Sequence, residues 1–113
     1  MNAAWLLGAM LALYVGRFVW FRVRAREAKR LIAEEGALLV DVRTEAEFAH
    51  GHIDGARNIP INQIAARAKR ELPQGKPLVV YCASGMRSAM AVSALRRAGF
   101  GKVVNLGPMS AWG

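Results

Sequence analysis

Residues 79–88 are Val79-Val80-Tyr81-Cys82-Ala83-Ser84-Gly85-Met86-Arg87-Ser88, and they join a predicted strand to a predicted helix. Residues 77–81 are apolar and rich in β-branched side chains, which predicts a short buried strand. Residues 88–98 have apolar side chains at three- and four-residue spacing, which predicts a helix capped by Ser88. The tight loop between them begins with Cys82, the only cysteine in the chain.

A loop that enters a helix favours an ionised thiol. Backbone N–H groups converge at a helix N-terminus, and the positive end of the helix dipole lies behind them. A thiolate is stabilised there, so the pKa of Cys82 should fall and its nucleophilicity at neutral pH should rise. Gly85 permits backbone angles that a side chain would forbid, and Arg87 adds a cation suited to oxyanions. The alternative is an inert core thiol, which would need neither the glycine nor the arginine.

The N-terminal segment predicts a membrane anchor. Residues 3–16 are uncharged, and residues 18–21 continue the apolar run after Arg17. If Arg17 snorkels toward the headgroups, the run is long enough for a bilayer, which needs about 20 residues. Trp5 and Trp20 suit the two interfaces. The alternatives are a cleaved signal peptide or an interfacial helix, but no basic residue precedes the run and no small-x-small cleavage pattern ends it.

The formal net charge of +8 is concentrated beside this segment. Six basic residues between positions 17 and 30, together with Glu27, contribute +5, which leaves +3 for the rest of the chain. By the positive-inside rule we expect a single pass, with the N-terminus outside and the domain facing the cytoplasm. The same charges suit the headgroups of membrane lipids, and a nucleic-acid partner is not expected.

The rest of the chain alternates short strands with helices. Residues 24–35 continue the anchor as a helix, residues 37–42 and 102–106 are predicted strands, and Asn62 is predicted to cap a helix over residues 63–72. This alternation is typical of an α/β fold with a parallel sheet flanked by helices. Ligands bind at the carboxyl ends of the strands in such sheets, which is where the cysteine lies.

Two units are therefore expected. Residues 1–23 form a single N-terminal transmembrane helix, and residues 24–113 form the α/β domain. No linker rich in Pro, Gly or Ser separates them, so the domain should lie close to the membrane. The single cysteine excludes an internal disulfide and a C-x-x-C metal or redox site.

Four polar residues in the middle of the chain are weighed as candidate site residues. His50 and His52 lack a third ligand at a convincing spacing, so no metal is expected, and His52 is interpreted as a hydrogen-bonding group. Asp41 and Glu47 could be a catalytic carboxylate pair. We favour Asp41 as an acceptor for backbone groups at a strand end, and Glu47 as the partner of Thr44 in a capping box.

Three motifs, in this order, resemble a single-domain rhodanese. They are Asp41-Val42-Arg43, then Glu47-Phe48-x-x-Gly51-His52-Ile53-x-Gly55-Ala56-x-Asn58-Ile59-Pro60, then Cys82-x-x-Gly85-x-Arg87-Ser88. The resemblance extends from about residue 26 to residue 112. An anchor fused to one rhodanese domain also resembles a recurring bacterial arrangement, which implies the inner (cytoplasmic) membrane. The family's usual glycine pair before the closing tryptophan is Gly107-Pro108 here, so the last helix should be short.

The resemblance implies a rhodanese-like fold and a sulfurtransferase that needs no cofactor. The thiolate of Cys82 would take sulfane sulfur from thiosulfate or a persulfide, become a persulfide, and pass the sulfur to cyanide, a small thiol or a protein acceptor. The loop would hold the donor, with Arg87 on its anionic group. The substrate-binding residues implied in this way are Ala83, Ser84, Gly85, Met86, Arg87 and Ser88.

Other functions for the same loop are weighed against this one. Related phosphatase loops have one residue more than the four between Cys82 and Arg87, so the shorter loop argues against phosphatase or arsenate reductase activity. A membrane redox sensor is disfavoured because the chain has no second cysteine. A non-catalytic rhodanese-like module that tethers a partner at the membrane is the main alternative.

Overall fold

The central strand of the sheet ends at the cysteine and is buried along its whole length. The computed structural model describes residues 2–113. The elements in chain order are α1 Ala4–Glu35, β1 Leu38–Asp41, α2 Glu45–His50, β2 Arg57–Asn58, a 3₁₀ turn Ile61–Gln63, α3 Ile64–Glu71, β3 Leu78–Cys82, α4 Met86–Arg97, β4 Val103–Pro108 and a 3₁₀ turn Met109–Trp112. The four strands are parallel and lie in the order β2-β1-β3-β4. The predicted α/β class, with a parallel sheet flanked by helices, is confirmed.

The side chains of β3 alternate between the two faces of the sheet, as strand geometry requires. Val80 and Cys82 belong to the apolar layer that α3 and α4 cover. Val79 and Tyr81 belong to the layer that α1 covers. Both faces of β3 are therefore covered by apolar side chains, which explains why its sequence is a continuous apolar run and not an alternation of apolar and polar residues.

Helix α1 lies along one face of the sheet, antiparallel to β4. Near one end of α1, the Nζ atom of Lys102 lies 3.5 Å from Oε2 of Glu35, just before β4 begins. At the other end of β4, the ring of Phe21 is so close to Gly107 that a Cβ built there would lie 3.1 Å from it. Residues 4–20 consequently extend beyond the carboxyl edge of the sheet.

The predicted continuity between the apolar segment and residues 24–35 is confirmed, because α1 is one unbroken helix. It ends at Gly36, which has a φ of 67° in the left-handed region. Its C-terminal half buries Ala25, Ala28 and Leu31 against the sheet. Its N-terminal half is exposed, and is long and apolar enough to cross a membrane; a signal sequence has the same length and composition.

Two predicted details around the cysteine are wrong. Helix α4 begins at Met86 with Gly85 as its N-cap, so Ser88 lies inside the first turn and does not cap it. Cys82 is the last residue of β3, where it pairs with Pro108, and not the first residue of the loop. The strand is therefore extended by one residue, which draws the sulfur into the apolar layer.

Two other boundaries also differ from the predictions. Helix α3 follows the 3₁₀ turn Ile61–Gln63, so Gln63 and not Asn62 occupies its N-cap, without a capping hydrogen bond from its side chain. Strand β4 continues to Pro108, two residues past its predicted end. The predicted shortness of the last helix is confirmed, since it is a single 3₁₀ turn, Met109–Trp112.

The substitution Leu31→Ala should destabilise the whole domain, since Leu31 has no exposed surface and contributes to the layer between α1 and the sheet. We expect a loss of about 2–5 kcal/mol in the free energy of unfolding, the usual range for a truncated core leucine. Denaturant unfolding of the full chain in detergent micelles measures this loss. Leu11→Ala is the matched control, because Leu11 is 63% exposed in the other half of the same helix. Equal losses for both variants would contradict the packing described.

Candidate active site

The loop that follows β3 folds back over the cysteine. We call residues 82–88 the Cys82 loop. Gly85 has a φ of 100°, in the region that glycine adopts far more readily than other residues, and α4 begins at the next residue. An ideal Cβ on Gly85 would lie 3.5 Å from Cα of Gly107, so the loop also packs against the end of β4. The predicted need for glycine at position 85 is confirmed.

The sulfur of Cys82 receives hydrogen bonds from the start of α4. The backbone N–H of Gly85 donates to Sγ at 3.0 Å, and the backbone N–H of Ser88 donates to it at 3.4 Å. The Ser88 hydroxyl lies 3.4 Å from the same sulfur and donates to the carbonyl of Gly85 at 3.0 Å. While Cys82 is a thiol, its S–H donates a hydrogen bond to the Ser88 hydroxyl oxygen. Once Cys82 is ionised, the hydroxyl is placed to donate a hydrogen bond to the thiolate.

The hydrogen bonds outweigh the effect of burial on the thiol. Burial of the sulfur raises the pKa of Cys82, whereas hydrogen bonds from Ser88, Gly85 and Ser84 lower it. The net result is a pKa below the ordinary thiol value, as the loop–helix arrangement predicts. The sequence predicted Ser88 as a helix cap, and the contact between its hydroxyl and the Cys82 sulfur was not predicted.

The sulfur itself is covered. Cys82 has no surface exposed to solvent and packs in the layer under α4. Ala83, Ser84 and Met86 are exposed, while Gly85 is half-buried. The loop therefore lies between the sulfur and solvent.

Arg87 is paired with a carboxylate on another element. Its two terminal nitrogens donate to the two carboxylate oxygens of Glu47, at 2.6 and 3.0 Å. Glu47 also completes the predicted capping box, since its side chain accepts from the N–H of Thr44 and its own N–H donates to the Thr44 hydroxyl. The hydrogen bonds from Arg87 and then from the Thr44 backbone lower the pKa of Glu47 to about 2.

The second candidate carboxylate, Asp41, is held by a different arginine. Asp41 is buried, accepts the backbone N–H of Arg43 at 2.8 Å and pairs with its guanidinium at 2.6 Å. Arg43 in turn donates to the carbonyl of Gly51 at 2.7 Å. The predicted bond from a backbone group to Asp41 and the predicted capping box of Glu47 are therefore confirmed.

The two histidines bond to the backbone of their own segment. Nδ1 of His50 lies 2.8 Å from the carbonyl of Ala46, and Nδ1 of His52 lies 2.9 Å from the carbonyl of Phe48. The His52 ring also stacks on Phe48, with 3.6 Å between ring centroids. The interpretation of His52 as a structural hydrogen-bonding group is therefore confirmed.

Residues 24–113 match the protein family described as rhodanese-like domain. A protein named sulfurtransferase from Allochromatium vinosum is 43% identical over 86 residues, which cover 75% of this chain and 79% of the relative. The protein YqhL from Bacillus subtilis, named uncharacterized, is 45% identical over 78 residues, or 68% of this chain and 61% of the relative. The crystal structure of the Alr3790 protein from Anabaena sp. superposes with a TM-score of 0.71 at 34% identity, covering 78% of this chain and 71% of that one.

The chain therefore belongs to the rhodanese-like domain family, and it has relatives that are named sulfurtransferases.

The substitution Ser88→Ala should raise the pKa of Cys82, because it removes one of the groups that stabilise the thiolate. The ultraviolet absorbance of the thiolate, titrated against pH with Cys82→Ser as the blank, reports on this one sulfur because the chain has a single cysteine. Ser93→Ala, at an exposed serine of the same helix, is the control and should leave the midpoint unchanged. A wild-type midpoint at or above the free-thiol value of about 8.5 would contradict the described geometry.

The ion pair between Glu47 and Arg87 should make the free energy of unfolding depend on pH in the acidic range. Because folding lowers the pKa of Glu47 from 4.5 to about 2, the pair stabilises the fold fully above pH 4.5, and this contribution is lost as the pH falls through about 2. Glu47→Gln keeps an acceptor for the capping box and removes the charge. The difference in denaturation midpoint between wild type and this variant should therefore be largest at neutral pH and vanish in strong acid.

The control for this titration is Glu45→Gln, in the same first turn of α2. Glu45 is exposed, and its carboxylate makes no hydrogen bond or ion pair to any residue from 2 to 113. A pH-independent difference for Glu47→Gln, or the same profile for both variants, would show that the pair with Arg87 does not shift the titration.

Proposed function

We propose that this chain is a sulfurtransferase that holds sulfane sulfur on Cys82. The observation that supports it most directly is the pair of N–H donors, from Gly85 and Ser88, that are directed at the Cys82 sulfur from the start of α4. They favour the thiolate, which is the nucleophilic form of cysteine. Membership of the rhodanese-like family and the sulfurtransferase name of the Allochromatium relative support the same reaction class.

The reaction proceeds in two displacements. The Cys82 thiolate attacks the outer sulfur of thiosulfate, a new S–S bond forms, and the old S–S bond breaks with its electron pair leaving on sulfite. A persulfide donor reacts in the same way and leaves as a thiolate. An acceptor thiolate or cyanide then attacks the terminal sulfur of the Cys82 persulfide, forming a new persulfide or thiocyanate and returning the Cys82 thiolate. The chain has no second cysteine, so the acceptor is always an outside molecule.

The Cys82 loop supplies the donor-binding groups in this proposal. The backbone N–H groups of the loop, residues 83–88, would hold the incoming sulfur, and those of Gly85 and Ser88 already bond to Cys82. The exposed side chains of Ala83, Ser84 and Met86 would form the outer wall of the site. Arg87 already bonds to Glu47, so in this proposal it offers its remaining N–H groups to an anionic donor while staying anchored. Because the sulfur is covered, the loop has to move outward before a donor can reach it.

The catalytic domain in this proposal is residues 24–113, and residues 1–23 anchor it to the inner membrane. The exposed apolar half of α1 supports the anchor, and the basic residues that follow it support an orientation with the domain in the cytoplasm. The donors are thiosulfate or persulfides, and the acceptors are cyanide, small thiols or a protein. Neutral side chains between Cys82 and Arg87 favour a persulfide over the dianionic thiosulfate.

One observation favours a second function. The complete burial of Cys82 suits a non-catalytic module that uses the surface of the loop to bind a partner at the membrane. Sulfur loading distinguishes the two functions, because such a module would not form a persulfide.

Incubation of the full chain with thiosulfate, or with a small-molecule persulfide, should add the mass of one sulfur atom, since a thiolate stabilised at this loop attacks sulfane sulfur. Intact mass spectrometry measures the adduct. A thiol acceptor added afterwards should remove it, and cyanide should do the same with release of thiocyanate.

Cys82→Ser is the matched control, because it exchanges the sulfur for oxygen and leaves the loop hydrogen bonds in place. It should remain at its unmodified mass with every donor. A wild-type protein that is folded by circular dichroism, and that stays unmodified with both donors, would contradict sulfur transfer and favour the binding module.

A further inference from the structure

Two exposed methionines lie beside the Cys82 loop. Met86 and Met90 are 76% and 63% exposed, and their spacing of four residues puts them on one side of α4. Among residues 2–113, all other large exposed hydrophobic side chains belong to α1. Farther along the same side of α4 the exposed residues are Ser93 and Arg97. The apolar surface, which we call the Met86–Met90 face, is therefore confined to the end of α4 next to the loop.

This face is at the edge of the sheet from which the apolar half of α1 emerges. The ring of Phe21 packs on Gly107, and Gly107 packs on Gly85 of the Cys82 loop. One glycine thus separates the loop from Phe21, the last residue of the apolar segment. Beyond Phe21, the helix becomes basic at Arg22.

The length of the apolar segment sets the level of the membrane boundary. The part of α1 from residue 4 to residue 21 is about 27 Å long at 1.5 Å per residue, close to the thickness of a hydrocarbon core, about 30 Å. The boundary with the headgroups then falls at Phe21 and Arg22. Arg24 supports this level, because its guanidinium lies 4.2 Å from the centroid of the Trp20 ring and donates to the carbonyl of Asn105 on β4.

Two carboxylates near the Cys82 loop are paired with arginines, which lowers the cost of placing them close to a lipid surface. The carboxylate of Glu47 is neutralised by Arg87, and that of Asp41 by Arg43. A face with two exposed thioethers and no unpaired carboxylate of its own can enter a headgroup layer, where apolar side chains are favoured.

We propose that the Met86–Met90 face lies in the headgroup layer of the same bilayer that α1 spans. The Cys82 loop then opens toward the membrane surface, and a donor or acceptor approaches the sulfur along that surface. This inference rests on the proposed membrane span of α1 and goes beyond the proposed sulfur transfer.

Lipid-borne quenchers test this contact. Three single-cysteine variants of the full chain, each with Cys82→Ser, receive an environment-sensitive fluorophore at Met90→Cys, Leu11→Cys or Gln74→Cys. The protein is reconstituted into vesicles of phosphatidylcholine and phosphatidylglycerol that contain lipids with a nitroxide at the headgroup or in the acyl chain. Gln74 is exposed and precedes β3, at the opposite edge of the sheet, so it serves as the control distant from the membrane.

The inference expects headgroup nitroxides to quench the label at position 90, acyl-chain nitroxides to quench the label at position 11, and neither to quench the label at position 74. Quenching at position 11 without quenching at position 90 would overturn the inference and leave the face free for a protein partner, while the membrane span would stand. If position 11 were not quenched either, the membrane span itself would be wrong. Sulfur loading of the wild type is measured separately, so its failure would not be confused with either result.

Discussion

The hydrogen bonds from Gly85 and Ser88 to the Cys82 sulfur are the interaction on which the site depends. Strand β3 is buried on both faces, and its last residue is the cysteine, so the sulfur is placed in an apolar layer. Burial alone would keep it protonated and inert. Two N–H groups and one hydroxyl at the start of α4 reverse that effect, and the pKa of Cys82 falls. The same turn therefore both covers the sulfur and lowers its pKa.

The geometry of this turn is fixed by elements that are distant in sequence. Gly85 needs a positive φ, and its packing partner Gly107 lies at the end of β4. Arg87, in the first turn of α4, is joined to Glu47 in the first turn of α2. The start of α4 is thus held by a strand end on one side and by an ion pair on the other. Such support directs the N–H groups at the sulfur while the loop covers it.

Most of the fold was accessible from local sequence patterns, whereas contacts between distant segments were not. Burial of β3, the capping box of Thr44 and Glu47, and the glycine at position 85 each follow from a few neighbouring residues. The pairing of Arg87 with Glu47 spans 40 residues in sequence, so no local spacing pattern predicts it.

Ser88 shows how a correct local rule leads to a wrong detail. A serine before a helical run is usually an N-cap. Here the helix begins two residues earlier, because Gly85 in its left-handed conformation already turns the chain, and the Ser88 side chain bonds to the sulfur and to Gly85. The burial of Cys82 was missed for a related reason, since it depends on strand β3 extending one residue farther to pair with Pro108.

Helix α1 has one half packed in the domain and one exposed apolar half. Because the two halves are continuous, the orientation of the domain relative to the exposed half is restricted. Its C-terminal half is part of the core, through Ala25, Ala28 and Leu31, and its exposed half continues without a break. A helix that is continuous and packed at one end cannot bend freely between the two halves. The packing of α1 on the sheet therefore fixes the orientation of the Cys82 loop relative to the exposed apolar half of the helix. Since both lie at the carboxyl edge, joined through Phe21 and Gly107, the position of the sulfur relative to any membrane is determined by the packing of α1 and not by a flexible linker.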